Sequence, residues 1–137
     1  MRLNSDVKAQ MPKVIAVDHV QLAMPKGEEQ SARAFYAGVL GLEEIRKPAN
    51  LAARGGVWFR CGGLQVHLGV EESFRPAKKA HPAFVVDDLA GFAKSLSGRG
   101  LSVQRDAEQV VGVVRLFTAD PFGNRIELVQ RHESTTP

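Results

Sequence analysis

The chain has 137 residues, of which 44% are apolar and 24% are charged, so it is long enough to form one globular domain with its own core. Its net charge of +3 comes from 18 basic and 15 acidic residues that are scattered along the sequence, which argues against a nucleic-acid interface. The single cysteine, Cys61, excludes an internal disulfide and a cysteine-based zinc site. The sequence also lacks an apolar signal core and any run of the roughly 18 apolar residues that a membrane span needs. We therefore expect a cytoplasmic protein with neither nucleic-acid nor membrane partners.

The first half of the chain is predicted to fold as a strand, a helix and three further strands. Residues 1–13 are polar and are expected to form a flexible arm. Apolar and polar residues then alternate over residues 14–24, which predicts a strand. The sequence "EEQSARAFYAGVLG" (residues 28–41) has apolar residues at helical spacing and ends on a glycine. A short strand over residues 42–46 and a loop follow, and "GGVWFRCGGLQVHLGV" (residues 55–70) predicts two strands joined by a Gly-Gly turn.

The second half repeats this order after a polar linker. The segment "HPAFVV" predicts a strand, and "DDLAGFAKSLSGRG" predicts a helix with Asp87 or Asp88 as its N-cap. Three strands follow in "LSVQRD", "QVVGVVRLFTA" and "NRIELVQ", and the turn sequence "DPFGN" leads into the last of them. Residues 132–137 are predicted to form a polar tail.

The chain therefore contains an internal repeat of a βαβββ module. The two modules cover residues 14–71 and 80–131 and together form a single domain over residues 14–131. The predicted fold class is α+β: the two βαβββ modules form a cupped mixed sheet, with the helices on the outside.

Four polar side chains occupy matched positions in the two modules. Aligning the modules places His19 opposite His81, in the first strands. The same alignment places His67 opposite Glu127, in the last strands. Because side chains alternate along a strand, each of the four lies on the face away from its apolar neighbours, and we expect them to converge inside the cup. Imidazole nitrogen and carboxylate oxygen suit one divalent ion, such as Zn, Ni, Co, Mn or Fe(II), and three such ligands leave positions open for substrate.

Three motifs resemble one known superfamily. The sequences "DHVQLAM", "FYAGVLGL" and "FTADPFGNRIELVQ" are similar to those of the vicinal-oxygen-chelate superfamily, which includes glyoxalases, fosfomycin- and bleomycin-resistance proteins, methylmalonyl-CoA epimerases and extradiol dioxygenases. The resemblance implies that His19, His81 and Glu127 are the metal ligands shared by most metal-dependent members. His67 matches the remaining ligand position, which is usually Glu or Gln in glyoxalases and epimerases. The resemblance also implies a homodimer, and it leaves open whether the cup forms within one chain or between two.

The resemblance implies a metal-dependent enzyme of the lyase or isomerase type, which chelates a small substrate through vicinal oxygens and stabilises an enediolate-like intermediate. His67 is either a fourth ligand or the general base; if it binds the metal, Glu127 or a metal-bound water moves the proton. One alternative is an Fe(II) extradiol-type ring-cleaving dioxygenase, although those enzymes have a tyrosine where this chain has Phe117. The other is a non-catalytic protein that binds a drug or toxin and confers resistance. Gln21 stands where fosfomycin transferases carry a threonine.

Strand alternation also predicts which side chains line the cup and contact the substrate. Two arginines among them could pair with a carboxylate or phosphate, which suggests an anionic substrate; the alternative is that these arginines face solvent. The predicted substrate-binding residues are Gln21, Trp58, Arg60, Gln65, Arg115 and Phe117.

Overall fold

The computed structural model describes residues 11–106, 108 and 110–132. Most of the predicted N-terminal arm, residues 1–10, and residues 133–137 of the predicted polar tail lie outside the described residues. Among those described, no helix combines the length and the apolar character that crossing a membrane requires.

The first module forms a four-stranded mixed sheet. Its strands lie in the order β1-β4-β3-β2, with β1 parallel to β4 and the other two pairs antiparallel. Helix α1 is continued by a π-helical segment, Ala34–Val39, and a 3-10 helix, Ala49–Arg54, precedes the third strand. The other elements are β1 (His19–Met24), α1 (Glu29–Arg33), β2 (Glu43–Ile45), β3 (Val57–Cys61) and β4 (Leu64–Val70).

The second module repeats this sheet. Its strands lie in the order β5-β8-β7-β6, again with one parallel pair, β5 with β8. The side chain of Asp88 accepts a hydrogen bond from the backbone N–H of Gly91 and caps the second helix. The equivalent strand orders confirm the predicted repeat and the α+β class. The elements are β5 (Ala83–Val85), α2 (Leu89–Gly98), β6 (Gln104–Arg105), β7 (Val113–Ala119) and β8 (Arg125–Arg131).

The apolar faces of both sheets pack against the helices. Val66 and Leu68 on β4, and Ile126 and Leu128 on β8, are fully buried in one apolar cluster that spans both modules. The residues between them, His67 and Glu127, lie on the opposite face because side chains alternate along a strand. This alternation directs the polar groups of both modules away from the core and towards the cup.

Several strands are shorter than the sequence pattern predicts. The predicted strands over residues 81–86 and 101–106 are reduced to Ala83–Val85 and Gln104–Arg105, so His81 precedes β5 and does not lie in the strand as predicted. The alternation begins at Val14, but β1 begins at His19, and the side chains of Val14 and Ile15 are 91% and 89% exposed. The partner strand explains the difference, because pairing with β4 starts at His19 and Gln65. Similarly, β7 begins at Val113, after a turn. A strand therefore begins where it first pairs with its neighbour, at Gln65 of β4 for β1 and at Arg131 of β8 for β7, and the sequence of a single strand does not contain that information.

The turn "DPFGN" joins the two modules. The hydroxyl of Tyr36, on the π-helical segment, donates to Asp120 Oδ2 at 2.7 Å. The side-chain N–H of Asn124 donates to the carbonyl of Ala23 at the end of β1, at 2.9 Å. Asp120 also accepts hydrogen bonds from the backbone N–H groups of Phe122 and Asn124. The turn is therefore held internally and fixed against the first module.

Candidate functional site

Three aromatic rings are stacked on the cup face of the first module. Trp58 on β3 lies directly opposite His67 on β4, and their ring centroids are 3.7 Å apart with the planes 2° from parallel. His19, on the neighbouring strand β1, stacks on the other side of His67 with centroids 4.3 Å apart and an interplanar angle of 16°. The plane of the His67 ring is thus fixed from both sides.

His67 is held as a neutral imidazole. Its Nε2 lies 2.9 Å from Oε1 of Gln65, and since an amide oxygen can only accept, Nε2 carries the proton and Nδ1 the lone pair. Burial is the main cause that lowers the pKa of His67. The charges of His19 and Lys47 lower the pKa of His67 further, whereas the charge of Asp18 raises it. The residue itself is only 4% exposed.

His19 has one ring nitrogen engaged and one available. Its Nδ1 lies 2.8 Å from Oδ2 of Asp18, and both side chains are exposed. A carboxylate at Nδ1 fixes the proton there and leaves the lone pair on Nε2. This is the arrangement in which histidine binds metals.

His81 and Glu127 form the corresponding pair in the second module. Nδ1 of His81 donates to the carbonyl of Lys79 at 2.8 Å, and Nε2 lies 2.9 Å from Oε1 of Glu127. The edge of the His81 ring faces Phe117, with centroids 5.5 Å apart. In this contact Nε2 donates to the carboxylate, and a cation held by both groups would take the place of that proton.

Arg115, which the sequence assigns to substrate binding, is paired with carboxylates of its own module. Its Nε donates to Asp106 Oδ2 at 2.6 Å, and its Nη1 lies 3.4 Å from Oε2 of Glu127. The hydrogen bond from Arg115 lowers the pKa of Asp106. Arg115 therefore orients Glu127 from the side opposite His81.

The remaining predicted substrate residues fall in different surroundings. Gln65 holds His67, as described, and Phe117 is buried beside His81. Arg60 is exposed, with its Nη1 4.0 Å from a carboxylate oxygen of Glu43. Gln21 and Trp58 line a cavity of about 240 Å³ on the cup side of the first module.

Three basic residues of the cup were not predicted. Lys47 and Arg54 line the same cavity as Gln21 and Trp58. They lie in or beside the 3-10 helix, where the sequence pattern predicts only a loop and gives no periodicity to assign a face. The guanidinium of Arg125 lies 4.0 Å above the ring of Phe117. Its position two residues before Glu127 on the same strand could have indicated the cup face.

The four predicted ligands come together in two pairs, His19 with His67 and His81 with Glu127. Within the described part of the chain, no three His, Cys, Asp or Glu side chains form a group that could hold a metal ion. A site built from both pairs therefore needs more than the arrangement seen within one chain.

Comparison with known proteins agrees with the motifs. A glyoxalase family protein from Bacillus anthracis is 46% identical, the alignment covers 89% of this chain and 99% of that one, and the TM-score is 0.83. A lactoylglutathione lyase from Agrobacterium tumefaciens (20% identity, 86% and 95% covered, TM-score 0.68) shares the fold. So does FosX, a fosfomycin resistance protein from Listeria monocytogenes (16% identity, 88% and 97% covered, TM-score 0.69).

None of the curated proteins matches the chain significantly. The family model described as Glyoxalase/Bleomycin resistance protein/Dioxygenase superfamily matches residues 16–128. The chain therefore belongs to this superfamily.

Proposed function

We propose that the protein is a metal-dependent enzyme of the glyoxalase type, a lyase or isomerase that acts on a small substrate with two neighbouring oxygens. The ligands are His19, His81 and Glu127, and the general base is His67. When bound, a divalent ion such as Zn, Ni, Co, Mn or Fe(II) would polarise both substrate oxygens and stabilise negative charge on them. The contact between His81 Nε2 and Glu127 Oε1 is the observation that carries this proposal.

The hydrogen bonds of the three ligands fit a metal. Both His19 and His81 have an oxygen partner at Nδ1, so Nε2 is the nitrogen that each would offer to an ion, and in His81 it is hydrogen-bonded to Glu127. Such outer partners are the usual support of metal-binding histidines. Arg115 holds one oxygen of Glu127 and leaves the other beside His81. Two imidazoles and one carboxylate are a common donor set for these ions.

The ring stack supports His67 as a base rather than a fourth ligand. Two histidines that held one ion would each have to direct a nitrogen lone pair at a common point. The rings of His19 and His67 are instead stacked, 16° from parallel with centroids 4.3 Å apart, so their lone pairs lie in separate, nearly parallel planes. The two histidines cannot bind the same ion in this arrangement.

His67 has the properties that proton transfer requires. Its lowered pKa keeps it unprotonated at neutral pH, and its free nitrogen, Nδ1, can accept a proton from the substrate. Gln65 holds the opposite nitrogen, and Trp58 fixes the ring plane. Neither contact has to change when the proton is transferred.

We also propose that the working form is a homodimer in which each site combines His19 of one protomer with the His81–Glu127 pair of its partner. Among the described residues no three candidate ligands come together, and the four form two pairs, which supports this arrangement. Both β1 and β5 lie at the edge of their sheets, and apolar side chains beside them are exposed in the single chain: those of Val14, Ile15, Val17 and Val85. A second copy that covers these edges would bury that surface.

The metal content of the purified protein tests the ligand set. We expect about one divalent ion per chain in the wild type, measured by mass spectrometry, and a loss to background in H81A and E127Q, because H81A removes a donor nitrogen and E127Q replaces the anionic carboxylate with a neutral amide. H132A is the matched control, since His132 is exposed and lies beyond the last strand. Wild-type protein that takes up no ion, or an H81A variant that retains it, would contradict the proposal.

The variant H67Q separates the base from the ligands. It is expected to retain the metal and to lose proton transfer by about 100-fold or more, the usual contribution of a general base. Exchange of the carbon-bound hydrogens of dihydroxyacetone with deuterium from the solvent, followed by NMR, measures this transfer. Loss of the metal in H67Q would instead make His67 a ligand.

A further inference from the structure

The cavity of about 240 Å³ on the cup face of the first module has an electrostatic character that the metal site does not explain. It lies between the strands β1 and β4 and the 3-10 helix. Two of its lining residues, Lys47 and Arg54, are basic, and none is acidic. The lining residues are Gln21, Lys47, Leu51, Arg54, Gly55, Trp58, Leu68, Gly69 and Val70.

We propose that this cavity is a subsite for an anionic group, a carboxylate or a phosphate, carried by the substrate, with Lys47 and Arg54 as the groups that bind it. The proposal rests on the proposed function in that it assigns a substrate class to the same cup. Lysine acts on such a group as a point charge, and arginine can donate two parallel hydrogen bonds to it. Two cations beside one small cavity favour a ligand of opposite charge.

The backbone holds the lysine at the cavity. The Nζ of Lys47 donates to the carbonyl of Gly55, which also lines the cavity. Glu29 accepts a hydrogen bond from the backbone N–H of Gly56 at 2.9 Å and so holds the same turn. The ammonium group thus has a fixed position before any ligand arrives, which lowers the entropic cost of binding.

The floor of the cavity is built around a glycine. A Cβ atom at Gly69 would lie 2.6 Å from Nε2 of Gln21, so the glutamine amide occupies the space that any other residue at this position would fill. Its N–H groups add neutral donors to the two charged ones. Gln21 comes from β1, Lys47 from the loop before the 3-10 helix, and Arg54 from the end of that helix.

Trp58 connects the subsite to the proposed base. It lines the cavity, and its ring centroid lies 3.7 Å from that of His67. The indole of Trp58 therefore lies between an anion bound in the cavity and the imidazole of His67, which takes the proton. The volume of the cavity corresponds to about eight water molecules at ~30 Å³ each. The part of the substrate held here is therefore a small group such as a carboxylate or a phosphate, whereas Arg60 and Arg115, which the sequence predicted for this role, lie beside carboxylates of the chain itself.

Trp58 is the only tryptophan in the sequence, so its fluorescence reports on this cavity. We expect a saturable change when inorganic phosphate is titrated into metal-free wild-type protein at constant ionic strength. The apparent Kd should rise at least tenfold in K47Q and in R54Q. Acetate in a parallel titration distinguishes a carboxylate subsite from a phosphate subsite, and uncharged acetamide should give no saturable change.

The matched control is K94Q, which removes an exposed lysine on α2 and should leave the titration unchanged. Because Lys47 bonds to the backbone, K47Q could unfold; circular dichroism detects that, and the exposed Arg54 then provides the test. The absence of saturable binding of both anions, or equal binding in wild type and R54Q, would overturn the subsite. If the anion test fails but the protein still binds a metal, the proposed function stands and only the subsite is overturned. If the protein binds the anion but takes up no metal, only the metal site is overturned.

Discussion

The fold strongly controls the ionisation of Tyr36. Its side chain is fully buried and its hydroxyl donates to Asp120. Burial, followed by the charge and the hydrogen bond of Asp120, raises the pKa of Tyr36 well above its usual value near 10. In the unfolded chain the phenol ionises at that usual value. The unfolded state therefore releases a proton that the native state keeps, and stability must fall as the pH rises above about 10.

Tyr36 is also the only tyrosine in the sequence, which makes this prediction simple to check. The phenolate absorbance should appear together with the loss of circular dichroism, not before it. In Y36F, Asp120 loses one of its hydrogen-bond donors and keeps those of Phe122 and Asn124, so the free energy of unfolding at neutral pH should fall by about 1.5–3 kcal/mol. Its further decrease above pH 10 should be smaller than in the wild type. Ionisation near pH 10 in a chain that is still folded would contradict the assignment.

The sequence predicted single residues best where two independent patterns agreed. His19, His67, His81 and Glu127 were selected because strand alternation and the internal repeat point to the same positions, and the structure brings them together as two pairs. Lys47 and Arg54 were missed because a 3-10 helix between strands has no such pattern. The pairing of Arg115 with Asp106 and Glu127 was also missed, because strand alternation gives the face of a side chain and not its partner.

At the scale of elements, the turn into β3 depends on one glycine. Gly56 has a φ of +89°, and a Cβ atom there would lie 2.2 Å from the carbonyl oxygen of Leu68 on the neighbouring strand β4. Left-handed strain and overlap with the backbone add to each other. We expect G56A to lower the free energy of unfolding by about 3 kcal/mol or more, measured by denaturation with urea.

The neighbouring turn provides the control for this prediction. Gly63 lies in the turn between β3 and β4, where a Cβ atom would point into open space, with no heavy atom beyond its chain neighbours within 4 Å. It is also not among the glycines with positive φ. G63A should therefore change the stability by less than about 1 kcal/mol. If the two variants are equally stable, the close approach of Gly56 to β4 does not constrain the sheet.

The sequence predicted the presence of the elements better than the residues at which the strands begin. The two helices, the order of the elements along the chain and the Gly-Gly turn follow from local patterns that the structure confirms. The starts of β1 and β7 do not, because an apolar segment such as residues 14–17 has the same pattern whether its partner strand lies in the same chain or in another. The exposed side chains of Val14 and Val17, before β1, are consistent with a partner strand in another chain.

At the scale of the whole molecule, a mixed dimer distinguishes a shared metal site from one within a single chain. H19A removes a ligand from the first module, and H81A removes one from the second. If sites are shared, a dimer with one chain of each variant has one site without either histidine and one complete site, formed by the first module of the H81A chain and the second module of the H19A chain. If each site lies within one chain, both sites of the mixed dimer are defective.

Coexpression of the two variants with different affinity tags, followed by purification on both, isolates the mixed dimer. We expect about one metal ion per mixed dimer, none above background in either variant alone, and about two per wild-type dimer. Light scattering checks that all four samples are dimers. A mixed dimer without metal, alongside a wild type that binds it, would show that His19 and His81 of the same chain meet at one ion. The two pairs would then have to approach each other within the chain when the ion binds, through a movement of one module against the other at the contacts of Tyr36 and Asn124.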